Sequence, residues 1–223
     1  MNAHRETRLG GHTIISVAQM ITIVDYNVGN LNSIANMLKR AGHSAILSSD
    51  IDEIRAASKL LLPGVGSFDS GMASIDELGL LDVLSHKVLE EQTPILGICL
   101  GMQLLLEGSE EGDLPGLGWI KGRCRRFSFS AENVELKIPH MGWNEARPTH
   151  RNSLFAKMDA EAGYYFVHSY HAVCDIEAEV LAHTTHGYSF VSAIERGNIY
   201  GTQFHPEKSH KHGMQLLDNF ALL

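Results

Sequence analysis

Cys99 sits in the pentapeptide Gly97-Ile-Cys-Leu-Gly101, between the apolar runs Ile95 to Ile98 and Leu100 to Leu106. The first run reads as a short buried strand and the second as the start of a helix. G-x-C-x-G at a strand–helix junction is the thiol form of the nucleophile elbow. Glycines are expected on both flanks because the turn is too tight for side chains there. The helix that follows would aim its free N–H groups and its positive dipole end at the sulfur, and both favour the reactive anion.

A nucleophilic thiol needs a base, and the base needs an orienting group. The chain has 13 histidines. His4 and His12 lie near the amino terminus, and His43, His86, His150 and His183 are expected in exposed helices or loops. His205 differs, because the apolar run Ile199 to Phe204 leads straight into it and Pro206 ends that run. Glu207 follows two residues later, and alternate positions of an extended chain share a face. Cys99, His205 and Glu207 therefore form a candidate catalytic set.

Other chemistries find less support. His168 with His171, or His205 with His210 and His212, show no zinc spacing such as H-E-x-x-H, so no metal is expected. Gly64-Val-Gly66 lacks the third glycine of a dinucleotide loop, where Asp69 stands. No phosphate-binding G-K-[ST] is present and no cofactor is expected. The formal net charge is −8, and Lys and Arg are scattered apart from Arg123-Cys-Arg-Arg126, which argues against nucleic-acid binding. The three cysteines, Cys99, Cys124 and Cys174, are an odd number without a C-x-x-C pair, as expected for a cytoplasmic protein. No apolar run approaches the roughly 18 residues of a membrane span.

The elements that must hold these residues follow from periodicity. Ile21 to Val24, Ala45 to Leu47, Lys59 to Leu62 and Ile95 to Ile98 read as strands, the third broken at Pro63. Leu31, Ile34, Ala35, Leu38 and Ala41 recur at helical spacing up to Gly42. A short helix is expected from Ile51 to Ala57, then helices through Met72 and Ile75 and through Leu80, Leu84 and Val88. This alternation implies an α/β fold: an open, mixed, largely parallel sheet covered by helices on both faces. Its ligands bind at the carboxyl ends of the strands, which is the edge that carries Cys99 and the loop after Leu62. The second half reads as short β segments at Trp119-Ile120, Cys124 to Phe127, Val134 to Ile138, Tyr164 to His168, Val180 to Thr184, Phe190 to Glu195 and Ile199 to Gln203. Arg196-Gly-Asn198 reads as a hairpin turn, and Met214, Leu217, Phe220 and Ala221 mark a final helix. Residues 1–19 look unlike the rest and are expected to be a dispensable, disordered extension before one domain spanning 20–223.

Pro94-Ile-Leu-Gly-Ile-Cys-Leu-Gly-Met-Gln103 together with Phe204-His-Pro-Glu207 resembles the class I, triad-type glutamine amidotransferases. Pro139-His-Met-Gly-Trp-Asn144 and Val167-His-Ser-Tyr170 narrow the resemblance to the glutaminase subunits of imidazole glycerol phosphate synthase. The likeness extends over residues 20–223 and implies a flavodoxin-like fold and hydrolysis of L-glutamine to glutamate. The ammonia would pass, within a heterodimer, to a (β/α)8-barrel cyclase of histidine biosynthesis. On that likeness Cys99 attacks the side-chain amide to give a thioester, His205 moves the proton and Glu207 holds the imidazole. Gly66, Gln103, Ser169 and Tyr170 match glutamine-binding positions, and Leu100 with Val65 or Gly66 would supply the oxyanion hole. One departure is visible: Asn27 stands where the family usually has the first glycine of Asp-Tyr-Gly-x-Gly-Asn. The same residues also suit a paralogous glutaminase feeding a sugar amidotransferase of surface-polysaccharide synthesis, a stand-alone thiol hydrolase, or a binding module without chemistry.

Overall fold

The computed structural model describes residues 20–129, 136–159 and 161–223. The expected extension at 1–19, and residues 134 and 135 of the expected strand Val134 to Ile138, lie outside them. Strands β1 (Ile21–Val24), β2 (Ala45–Ser48), β3 (Lys59–Gly64) and β4 (Ile95–Cys99) alternate with helices α1 (Leu31–Arg40), α2 (Ile51–Arg55), α3 (Phe68–Glu77) and α4 (Leu80–Ser85). A π-helical turn, His86–Glu90, leads into β4, and α5 (Leu100–Leu104) follows it. The second half carries β5 (Gly122–Arg126), β6 (His140–Glu145), β7 (Arg147–Pro148), β8 (Gly163–His168) and β9 (Tyr170–Cys174). Then come β10 (Val180–His186), β11 (Tyr188–Arg196), β12 (Ile199–Thr202) and α6 (His210–Ala221).

The main sheet runs β2-β1-β3-β4-β12-β11-β10-β7, with β5 joined through β9 to β11. From β2 to β12 the strands are parallel, and from β12 onward they pair antiparallel. Alternation along the parallel strands feeds two cores: Leu60, Leu62 and Ile95 pack with Phe68, Leu84 and Leu104, whereas Leu61, Leu96 and Ile98 pack with Leu38, Leu217 and Phe220. Each such buried side chain contributes roughly 1.5–3 kcal/mol. A separate two-stranded sheet pairs β6 with β8. Among the described residues no helix is long and apolar enough to cross a membrane.

Three expectations need correction. First, β3 does not stop at Leu62 but runs through Pro63, which pairs with Ile98. Its pairing with β1 ends at Leu61, so the prolyl residue has a strand on one side only. Second, Trp119 and Ile120 are not a strand. Their N–H groups donate to the Leu105 carbonyl, and those of Leu117 and Gly118 donate to Leu104 and Leu106. This loop caps α5, which is why the helix ends at Leu104 and does not reach Leu106. Third, His183 is not in a helix or loop but half-buried within β10. Strands β6 and β9, absent from the periodicity reading, are rich in residues of weak strand preference or of small size, such as Gly142, Asn144 and Ala172.

Candidate active site

Register brings the site together. β4 lies between β3 and β12, with Gly64 opposite Cys99 on one side and Thr202 opposite Ile98 on the other. The segment after β3 and the segment after β12 therefore both emerge beside the sulfur. Cys99 has φ 54° and ψ −107°, a strained conformation for a non-glycine residue. Such strain costs about 1–3 kcal/mol and persists only where the surroundings enforce it. Here the flanking glycines enforce it: a Cβ on Gly101 would lie 1.6 Å from the Leu62 carbonyl oxygen, and one on Gly97 would lie 2.7 Å from the Gly101 backbone. Any side chain at either position would push strand and helix apart.

His205 follows β12 by three residues and is locked at both ends of its backbone. Its N–H donates to Tyr165 (2.9 Å), and its carbonyl accepts from the Ser209 hydroxyl (2.6 Å). Its ring Nδ1 donates to the Glu207 carboxylate at 2.8 Å, and both side chains are almost wholly buried. The expected pairing is present, but not through an extended chain. Pro206–Lys208 forms a 3-10 turn, and that turn swings Glu207 back onto the ring. Gly213 of α6 presses on the turn so closely that a Cβ there would lie 1.8 Å from the Pro206 carbonyl oxygen. Burial works against charge on His205, but the nearby sulfur of Cys99 and the hydrogen-bonded carboxylate of Glu207 outweigh it and push its pKa up to about 10. Nε2 makes no in-line hydrogen bond among the described residues, so the influence of the sulfur is that of a close neighbour.

Cys99 and His205 open onto a cleft of about 310 Å³. Val65, Gly66, Leu100 and Gln103 line it from the parallel half, and Ser169 and Tyr170 from the crossing between β8 and β9. Every expected site residue except Glu207, which stands behind His205, is thus on its wall. Gly66 has φ +114° and open space where a Cβ would be, so it is glycine for conformation and not for room. Leu100 opens α5, and its N–H has no acceptor within the helix. The Gln103 amide donates to the Tyr170 carbonyl (3.1 Å) and to Gln203 Oε1 (3.0 Å), which leaves its own carbonyl oxygen for a ligand. Asn27, the departure in the first loop, adopts φ 65°, which asparagine tolerates better than most residues.

Four further residues share the cleft: Glu111, Pro139, Val167 and His168. Glu111 is its carboxylate, steadied by the Phe68 N–H at 2.9 Å. Only its place in Glu107-Gly-Ser-Glu-Glu-Gly112 hinted at it, since one acid among 26 acidic residues carries no pattern of its own. His168 Nδ1 donates to the Tyr170 carbonyl (2.7 Å), so its Nε2 accepts, here from His140 Nδ1 (3.0 Å). Asn144 in turn donates to His140 Nε2 (3.1 Å). Burial, with neighbouring histidines adding to it, lowers the pKa of His168 to about 3 and that of His140 to about 4. The histidines weighed as metal ligands do not converge: His171 bonds to Tyr188, His210 stacks on Trp143, and His212 bonds to Gly163.

The model of the glutamine amidotransferase class-I family matches residues 22–223. The imidazole glycerol phosphate synthase subunit HisH 2 of Methanococcus maripaludis is 50% identical over 201 residues, which span 90% of this chain and 98% of that protein. The HisH subunit of Leptospira borgpetersenii is 46% identical over 205 residues, 92% of this chain and 100% of that protein. HisH 2 of Pseudomonas aeruginosa is 45% identical over 204 residues, 92% of this chain and 100% of that protein. Among solved structures, a glutamine amidotransferase superposes with a TM-score of 0.66 at 19% identity, covering 91% of this chain and 99% of its own. PurLQS of Thermotoga maritima gives the same TM-score at 15% identity, covering 90% and 96%, and these two likenesses speak to the fold alone. With the family model and relatives of this identity both spanning nearly the whole described chain, the protein belongs to the class-I glutamine amidotransferases.

Proposed function

We propose that this chain is the glutaminase subunit of an imidazole glycerol phosphate synthase, hydrolysing L-glutamine and handing ammonia to a barrel-type cyclase partner in histidine biosynthesis. The observation that carries the reading is the near full-length match to HisH subunits, with a thiol, an imidazole and a carboxylate intact around one cleft. Residues 20–223 act as one glutaminase domain in this reading, and residues 1–19 are dispensable.

The chemistry follows from the geometry. The Cys99 sulfur attacks the side-chain carbonyl carbon of glutamine, and the carbonyl π electrons move to oxygen. The oxyanion takes N–H donors from Leu100 and from Val65 or Gly66, a contribution of about 2.7–4 kcal/mol per donor. His205, held protonated by its two neighbours, passes its Nε2 proton to the amide nitrogen as the C–N bond breaks. Ammonia leaves and a glutamyl thioester remains on Cys99. Neutral His205 then takes a proton from the incoming water, the C–S bond breaks, and glutamate leaves. Glu207 stabilises the imidazolium and fixes the ring without taking the proton. Glu111 supplies the negative charge that an α-ammonium group requires, and the Gln103 carbonyl oxygen, Ser169 and Tyr170 complete the polar wall.

Gly66 gives the oxyanion loop a peptide that can rotate at low cost, so a resting enzyme can hold one donor turned away. Glutamate release from glutamine, measured with and without the cyclase partner and its ligand, tests the reading. The expected result is weak hydrolysis alone and at least a roughly tenfold rise in the loaded complex, within the 10²–10³ reach of one oxyanion donor. Full activity of the lone chain, unchanged by partner and ligand, would favour a stand-alone hydrolase.

A further inference from the structure

Gln203 is wholly buried between β12 and His205 and plays no part in the mechanism above. Its backbone N–H donates to the Ser192 carbonyl at 2.9 Å, which pins it to β11. Its side chain spans the two working parts of the cleft. Oε1 accepts from Gln103 Nε2 at 3.0 Å, and Nε2 donates to Cys99 Sγ at 3.8 Å, a normal reach for sulfur.

The orientation of both amides is dictated by one carbonyl. Tyr170 offers only an acceptor, so Gln103 must present its NH₂ end there, at 3.1 Å. That same NH₂ end faces Gln203, which must answer with its oxygen and is left with N–H groups toward the sulfur. A flipped Gln203 would set two donors against each other at one end and an oxygen against the sulfur at the other.

We propose that Gln203 is a positioning residue for the nucleophile. Its carboxamide holds the Cys99 sulfur by an N–H···S hydrogen bond, and the Tyr170 carbonyl fixes its polarity through Gln103. The inference rests on the reading of Cys99 as nucleophile and adds to it a donor outside the triad. A hydrogen bond to a charged acceptor is strengthened as the charge forms. The donor therefore favours the attacking anion and keeps it aimed along one direction. It also ties the sulfur to the segment at Ser169-Tyr170 that lines the ligand cleft.

The test is alkylation of Cys99 by iodoacetamide across a pH series, followed by peptide mass mapping, in the full chain and in Gln203→Leu and Gln203→Glu. The titratable groups around the sulfur are His205 with Glu207 behind it, the Tyr26 hydroxyl and the Cys124 thiol, with Glu111 and His168 on the same cleft wall, and both variants retain all of them. Leucine removes the donor, whereas glutamate keeps the volume and the acceptor for Gln103 but sets an oxygen against the sulfur. The expected result is a Cys99 profile displaced to higher pH in both, more so in Gln203→Glu. With it, kcat for glutamine should fall about tenfold, the order of one hydrogen bond to a charged group, and KM should stay within about threefold. Gln203→Glu is close enough in shape to be read if Gln203→Leu does not fold. A Cys99 profile identical to wild type in a folded variant, whether or not kcat falls, overturns the proposal. A wild-type chain that survives Cys99 alkylation with full glutamine hydrolysis removes the nucleophile reading, and this one with it.

Discussion

Two buried histidines line the same cleft and are held in opposite charge states. His205, on the turn after β12, has a carboxylate at 2.8 Å on one nitrogen and the sulfur of Cys99 near the other, and its pKa rises to about 10. His168, at the end of β8, has a backbone carbonyl on one nitrogen and another histidine on the other, and its pKa falls to about 3. Burial opposes charge on both. What differs is whether a partner repays that cost with negative charge. Proximity to the cleft therefore does not make a proton carrier. His205 can exchange a proton with a substrate, whereas His168 has both nitrogens committed to a neutral chain running from Asn144 to Tyr170.

The contrast can be tested by removing each ring. His205→Ala should lower glutamine hydrolysis by about a thousandfold or more, as loss of the base does in hydrolase triads, with ammonium-driven turnover by the cyclase partner retained. His168→Gln should leave hydrolysis within about tenfold of wild type. If the two variants lose activity equally, the assignment of His205 as the base is wrong.

Removing the charge that separates the two histidines should have a smaller effect. Glu207→Gln keeps the shape but not the anion, so it should retain at least about tenfold more activity than His205→Ala. A steady-state glutamate assay on both variants decides this.

In His168→Gln the main loss is one of stability. A broken buried hydrogen bond costs about 1–3 kcal/mol, to be read as a lower midpoint in urea unfolding.

The last effect lies in the pH dependence of unfolding. For His140 and His168 the folded pKa lies below the unfolded value of about 6.5, so the unfolded chain binds protons first as pH falls. Their share of stability is complete above pH ~6.5 and is lost between there and pH ~4 for His140 and pH ~3 for His168, with a slope of up to about 1.4 kcal/mol per pH unit for each ring. His205 has the opposite sign: its share is complete below ~6.5 and is lost as pH rises toward 10. Unfolding free energies across pH for wild type and His168→Gln should differ in the acid limb and run parallel in the alkaline one.

The parallel half of the fold was more legible in the sequence than the antiparallel half, for a physical reason. Its inner strands β1, β3 and β4 are buried on both faces and read as continuous apolar runs, and glycines mark where backbones touch, as at Gly97 and Gly101. Strands β6 and β9 mix glycine, asparagine and histidine with apolar residues, and their pairing comes from contacts distant in sequence. At the site, Cys99, the proposed nucleophile, is marked by local spacing. Glu207 was found for the wrong reason, since a 3-10 turn and not an extended chain carries it to the ring. Glu111 and Gln203 carry no local signal, because the roles proposed for them depend on what folding places opposite them.

The account turns on Cys99 becoming acylated by glutamine, and acid-quenched peptide mapping of the enzyme during turnover measures that directly. With the proposed cyclase partner present, a glutamyl adduct should be trapped on the peptide carrying Cys99 in the wild-type enzyme. Cys99→Ala should show neither adduct nor glutamine-dependent turnover while still supporting synthesis from free ammonium. An adduct on another residue, or continued glutamine hydrolysis by Cys99→Ala, would contradict it.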